Sequence, residues 1–313
     1  MTLNTDNKFY HLLRAFRPRQ WIKNGVVFAP LVFHGVLFES DYFFRASLAF
    51  IYFCGVASAI YLINDIWDIE RDKLHPIKKN RPIASGAVSV KTAWITVFVL
   101  LTILIPTSFI IVGKYFGFVL LAYVLVQFAY NLKLKDVIIL DALTISIGFI
   151  LRAFAGAMAI PLSISSWLIL AITGVSLLLA FGKRRAERTL LDAQGISKTS
   201  TRSILKHYPD NLLDSMISMS ASFSIITYSL FAFQTSPERE IGSYFVSIIP
   251  STLIGAKLLM LTIPIVIYGV ARYLYVIYEK REGESPERVL LSDAPLLYAT
   301  VIWGIAVIII TNL

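Results

Sequence analysis

The stretch FFRASLAFIYFCGVASAIYLINDIWDIERD, residues 43–72, decides how the chain is read. Its first part, 43–63, is apolar. At about 1.5 Å per helical residue it covers roughly 31 Å, the thickness of a bilayer's hydrocarbon core. It runs directly into Asn64-Asp65-Ile66-Trp67-Asp68-Ile69-Glu70-Arg71-Asp72. On a helix, Asp65, Asp68 and Asp72 share an arc of roughly 60°, Asn64 widens it to about 100°, and Glu70 points elsewhere. Carboxylates this close repel one another unless a hard cation lies among them. Mg²⁺ takes oxygen ligands and commonly shares them with substrate phosphates. The pattern therefore predicts a magnesium and phosphate site at a membrane surface.

Composition agrees with a membrane location. The 313 residues are 57% hydrophobic and 16% charged, with a mean hydropathy of +0.70. Soluble domains are nearer 45–50% apolar and about 25% charged. All-helical spans are the default for such a chain. Residues 1–19 are polar, with no apolar core before a cleavage site, so no removable signal is expected. The single cysteine, Cys54, sits in an apolar run and reads as packing. The net charge of +9 is explained by loop distribution and requires no nucleic acid.

Nine apolar segments emerge, near 24–38, 43–63, 92–112, 115–131, 137–160, 164–182, 215–235, 253–278 and 294–312. The expectation is an all-α membrane protein, a bundle of nine transmembrane helices forming a single domain over 1–313. Lys and Arg crowd the N-terminus and the connections after the second, fourth, sixth and eighth segments. The other side carries only Arg45, Lys114 and Arg239. The positive-inside rule then makes the N-terminus and the polar site cytoplasmic and the C-terminus external, in a cell inner membrane. Pro106, Pro161 and Pro264 lie in or beside spans and are expected to kink or end helices.

Four further stretches carry polar chemistry. After the acids come His75-Pro76 and Lys78-Lys79-Asn80-Arg81, basic groups suited to phosphates. At the end of segment six, Gly182-Lys183-Arg184-Arg185-Ala186-Glu187 places Lys183 and Glu187 as i, i+4 neighbours. Guanidinium forks suit phosphate oxygens, and Glu187 could assist a metal; ordinary topology-setting charge is the plain alternative. On an α-helix, Gln20, Lys23 and Asn24 of Arg17-Pro18-Arg19-Gln20-Trp21-Ile22-Lys23-Asn24 would share a face where the apolar run begins. The fourth stretch, Tyr130-Asn131-Leu132-Lys133-Leu134-Lys135-Asp136, precedes Asp141 and Arg152. Those two charges lie on one helix face about 16 Å apart, too far to pair directly. Arg152 reads equally as a phosphate contact deep in the bundle or as a member of a structural ion pair.

These pieces together resemble the UbiA-type intramembrane prenyltransferase superfamily. That superfamily has nine transmembrane helices, with one Asp-rich motif after the second and another after the sixth. Asn64-Asp65-x-x-Asp68-x-x-x-Asp72 matches the first motif. The second departs, with Gly182-Lys183-Arg184-Arg185-Ala186-Glu187 where aromatic prenyltransferases carry acids. That departure, the Arg17–Asn24 and Tyr130–Lys135 stretches, and Gly148-Phe149-Ile150-Leu151-Arg152-Ala153-x-Ala155-Gly156 look like the decaprenyl-phosphate phosphoribosyltransferase branch. The resemblance implies transfer of 5-phosphoribose from phosphoribosyl pyrophosphate to a polyprenyl phosphate, with Mg²⁺ as cofactor and pyrophosphate released. It implies Asp65, Asp68 and Asp72 as catalytic metal ligands with Asn64 assisting. Substrate contacts would come from Lys23, Asn24, Arg81, Tyr130, Lys133, Lys135, Arg152, Lys183, Arg184 and Glu187. The partners expected are the two substrates and the membrane, with a homo-oligomer left open. An aromatic polyprenyltransferase using a polyprenyl diphosphate is the alternative, and a lipid-phosphate transporter a further one.

Overall fold

The structure is a computed structural model that describes residues 8–75, 78–194, 208–235, 257–280 and 286–312. The described elements are helical. They are α1 (Lys8–Ala15), α2 (Ala29–His34), α3 (Ser40–Trp67), α4 (Ile69–Leu74), α5 (Val90–Ile111), α6 (Lys114–Leu132), α7 (Leu140–Ala159), α8 (Ser166–Gln194), α9 (Asp210–Thr235), α10 (Ile263–Tyr278), α11 (Pro286–Ser292) and α12 (Ala294–Asn312). Among the described residues, eight helical segments are long and apolar enough to span a membrane. Pro76, Lys198, Arg202, Lys206, Arg239, Arg281, the start of the eighth segment and the Asp192 side chain lie outside what is described.

The first apolar segment, 24–38, does not form one continuous α-helix. Residues Pro18–Phe28 form a 3-10 helix, followed by the six-residue α2. Pro30 would remove an α-helical hydrogen bond and clash with the carbonyl four residues back, and Gly25 weakens helix further. The tighter winding also corrects a shared face. With three residues per turn, Gln20 and Lys23 stay on one edge while Asn24 moves about 120° away, in line with Trp21 and Val27. Trp21 Nε1 donates to Ser58 Oγ at 3.2 Å, and Asn24 and Val27 are buried.

The chain divides into two compact units. The first contains Lys8–Phe28, Phe44–Pro161 and Tyr208. Its centre is α3, where small residues such as Ala46, Ala49, Ala57 and Ala59 allow close packing and Phe53 meets Phe116 and Tyr123. α6 packs on α7, and α7 on the 3-10 stretch. α5 starts with Ser89 as cap, its hydroxyl accepting Thr92 N–H at 3.1 Å, which satisfies one of the end's orphan donors. Phe98, Ile103, Ile110 and Ile111 on α5 are exposed, as suits a lipid-facing helix. Pro106 lies inside α5 without ending it, whereas Pro161 falls just beyond α7.

The second unit contains Ala29–Phe43, Leu162–Leu190 and the described residues from Pro209 on. Its core gathers Leu168, Ala171, Tyr228, Phe231, Leu259 and Val307, with Phe33 stacked edge-on against Phe231. α2 ends at Gly35, φ +68, with Val36 N–H on Leu31 O and Gly35 N–H on Val32 O. A Cβ there would collide with the backbone of Thr311, so the position requires glycine. Pro264 sits in the first turn of α10, where its missing N–H costs nothing. Asp293 caps α12 through Leu296 N–H at 3.1 Å and takes a bidentate pair from Arg272 (2.9 and 3.0 Å) and Lys280 Nζ at 2.7 Å. The Arg272 hydrogen bonds hold its carboxyl well below the usual range. Burial opposes this, and Lys280 and Leu296 N–H reinforce it.

Candidate active site

Where α3 gives way to α4, Asp68 takes φ −94°, ψ 8°. The helical hydrogen bonds nonetheless continue, from Asp68 N–H to Asn64 O at 3.0 Å and from Asp72 N–H to Asp68 O at 2.8 Å. The i, i+3, i+7 register is thus preserved across the joint. Asp65 and Asp72 are only 1% and 3% exposed. Carboxylates buried to that degree need opposite charge close by. Arg81 Nη1 bridges them, 2.6 Å from Asp72 Oδ2 and 3.1 Å from Asp65 Oδ1. Arg17 pairs with Asp65 and lies over the Tyr61 ring, 5.3 Å from its centroid. Lys135 Nζ is 2.9 Å from Asp68 Oδ1. Arg17 and Arg81 thus form one network with Asp65 and Asp72, and Asp68 forms a second with Lys135 and, at 3.8 Å, Arg71, all within the first unit.

These networks revise the expectation that a metal alone relieves the repulsion, because side-chain cations already do so. Among the described residues no three acidic, His or Cys side chains converge as a ready-made metal cage. Mg²⁺ does not require one; it is usually held by one or two carboxylates with substrate phosphates and water completing the octahedron. The donor set is hard oxygen, and Asp65 Oδ2 is buried without a hydrogen-bond partner. An orphaned carboxylate oxygen of this kind fits a cation ligand.

A second polar focus centres on α7. Arg152, 5% exposed on α7, donates from Nε to Asn24 Oδ1 at 2.8 Å, from Nη1 to Gly148 O at 2.7 Å and from Nη2 to Tyr123 OH at 2.9 Å. The rings of Tyr123, Phe149 and Phe53 surround its guanidinium, with centroids at 4.7, 5.5 and 5.9 Å. Its hydrogen-bond acceptors are neutral, so the ion-pair reading of Arg152 does not hold among the described residues. Asn24 Nδ2 also reaches Cys54 Sγ at 3.2 Å.

The remaining site candidates are more dispersed. Asn64 and Tyr130 are half-buried, and Lys133 is exposed while Lys135, two residues on, is buried. In the second unit, Arg184 is 1% exposed and its Nη1 lies 2.6 Å from Glu187 Oε2, with Lys183 Nζ at 3.9 Å from Oε1. Arg185 leaves that group for Asp214 at 2.9 Å. Arg17, Tyr61 and Tyr123 were not singled out as site residues from sequence. Arg17 alone carried a local signal, a charge set just before Pro18 and an apolar run.

Residues 27–196 match the model of the UbiA prenyltransferase family. The chain belongs to this family. Among its relatives, a decaprenyl-phosphate phosphoribosyltransferase of Mycolicibacterium smegmatis is 34% identical over 93% of this chain and 89% of that protein. One of the same description from Corynebacterium glutamicum is 31% identical over 95% of this chain and 85% of that one. A solved UbiA homologue from Archaeoglobus fulgidus, bound to DMAPP and Mg²⁺, superposes with a TM-score of 0.65 at 16% identity. The match covers 96% of this chain and 99% of that one. At that identity the likeness establishes the UbiA fold alone. This UbiA-family chain is thus an integral, all-helical membrane protein.

Proposed function

We propose that this chain transfers 5-phosphoribose from phosphoribosyl pyrophosphate to a polyprenyl phosphate, releasing pyrophosphate. The observation that carries the reading is its likeness, over nearly its whole length, to decaprenyl-phosphate phosphoribosyltransferases. The site chemistry supports it, since the acids are interleaved with Arg17, Arg81 and Lys135, cations suited to phosphate oxygens. The basic Lys183–Arg184 pair, where an acidic cluster would serve a prenyl diphosphate, points the same way.

In this reading Asp65, Asp68 and Asp72 hold Mg²⁺, with Asn64 beside them, and residues 1–313 act as a single domain. Held there, Mg²⁺ would supply positive charge to offset that of the leaving pyrophosphate. Arg81 and Arg17 turn from carboxylate to phosphate oxygens, keeping the buried charge balanced. Lys23, Asn24, Tyr130, Lys133, Lys135, Arg152, Lys183, Arg184 and Glu187 complete the substrate contacts. As the C1–O bond loosens, positive charge grows at C1 and the lipid phosphate attacks it. That nucleophile is already anionic, so catalysis is mainly positioning and charge stabilisation. The asymmetric Lys and Arg distribution supports a cytoplasmic N-terminus and site.

The test is incubation of purified protein and Mg²⁺ with labelled phosphoribosyl pyrophosphate and polyprenyl phosphate. Labelled lipid is expected. Its absence, with turnover of a polyprenyl diphosphate and 4-hydroxybenzoate instead, would overturn the proposal.

A further inference from the structure

We infer that Tyr208 is a positioning residue for the acidic site: its hydroxyl clamps a strained turn at Ile139 and so holds the Lys135 ammonium against Asp68. Only the activity readout of its test rests on the function proposed above.

Lys135 sits in a short 3-10 turn, Leu134–Asp136, between α6 and α7 and is 5% exposed. From there the chain enters α7 through Ile139, at φ +70°, ψ −44°. Leu140 N–H donates to Ile138 O at 2.8 Å, closing a γ-turn of the rare, strained hand. A β-branched residue at positive φ is a true outlier, and such a conformation persists only where its surroundings impose it.

Tyr208 imposes it. Its oxygen accepts Ile139 N–H at 2.7 Å, and its O–H donates to Asp141 Oδ1 at 2.6 Å. Both Tyr208 and Asp141 are 0% exposed. One hydroxyl therefore ties the apex of the turn to the first turn of α7 through a charge-assisted bond. Ile139 O in turn accepts Leu143 N–H at 3.0 Å, so the strained residue also anchors the start of α7. A second observation connects strain with function. Among the described residues, the non-glycine positions at positive φ are Ile139 and Arg17. One lies four residues after the lysine that pairs with Asp68, and the other is the arginine that pairs with Asp65. Among the described residues, both positive-φ positions thus fall in segments that present a cation to the acids, whereas the Arg81 segment does so without such strain.

The test is amine acylation of the full-length protein in nanodiscs, read lysine by lysine by mass spectrometry. In Tyr208→Phe the labelling of Lys135 should rise about tenfold, as expected for local opening, while exposed Lys91 is unchanged. The kcat/KM for phosphoribosyl transfer should fall by about tenfold, the scale of one lost charged hydrogen bond. Adding Ile139→Gly should restore both, because glycine takes this φ without strain. If Tyr208→Phe fails to fold, recovery of folding by Ile139→Gly carries the same conclusion. Wild-type labelling of Lys135 in Tyr208→Phe would overturn the inference. So would a rise at Lys91 equal to that at Lys135 with no rescue by Ile139→Gly, which would make Tyr208 merely structural. Increased and rescuable Lys135 labelling, with no lipid product even from the unmodified chain, would sustain the clamp and reject the proposed function.

Discussion

Lys135 and Asp68 meet at 2.9 Å across sixty-seven positions of sequence, joining the turn after α6 to the joint between α3 and α4. The contact brings a cation to the least buried of the three acids.

The first prediction concerns the acids themselves. Asp65→Asn and Asp68→Asn should each lower turnover by about 100-fold or more, the scale of losing a group that stabilises transition-state charge. Membrane yield should remain near normal. Wild-type initial rates in either variant would remove that residue from the mechanism.

Metal removal gives a second. Chelation should abolish transfer, and added Mg²⁺ should restore it. Activity that survives exhaustive chelation would contradict magnesium dependence.

Arg81 gives a third. It neutralises Asp65 and Asp72 together, so Arg81→Ala should leave two buried carboxylates under-compensated, whereas Arg81→Lys keeps the charge without the fork. The expected order of activity is wild type, then Lys, then Ala, with the Ala variant also melting about 5 °C lower. Equal melting temperatures for all three would show the bridge to be dispensable for folding.

Asp293 gives a pH prediction. Its carboxyl is held below the ordinary range, so its contribution to stability is fully present above the unfolded carboxylate value of about 3.9. It is lost only as pH falls through the lower folded value. Between pH 5 and 8 the melting temperature lost in Asp293→Asn should therefore be constant. A loss that varied across that window would assign the stability to another group.

Much of this was legible in the sequence because the signals are local. Spans 43–63, 92–112 and 294–312 are continuous apolar runs, and the Asp65, Asp68 and Asp72 register needs only helical periodicity. Counter-charges were not legible. Arg17 and Lys135 reach the acids through tertiary structure, and no spacing rule joins residue 17 to residue 65. The winding of the 24–38 segment was not legible, because hydropathy does not distinguish a continuous α-helix from a 3-10 stretch that ends at Phe28 and passes into a short α-helix. Tyr208 was not legible, since its role depends on a backbone angle at Ile139.

The winding of Pro18–Phe28 imposes an arithmetic on this part of the chain. Trp21 meets α3, Asn24 meets α3 and α7, and Val27 is buried on the same edge because they recur every three residues, so the segment tolerates length change only in threes. One added residue before Asn24 would swing its amide about 120° off Arg152, while three would lengthen the rod by about 6 Å and keep every edge in phase.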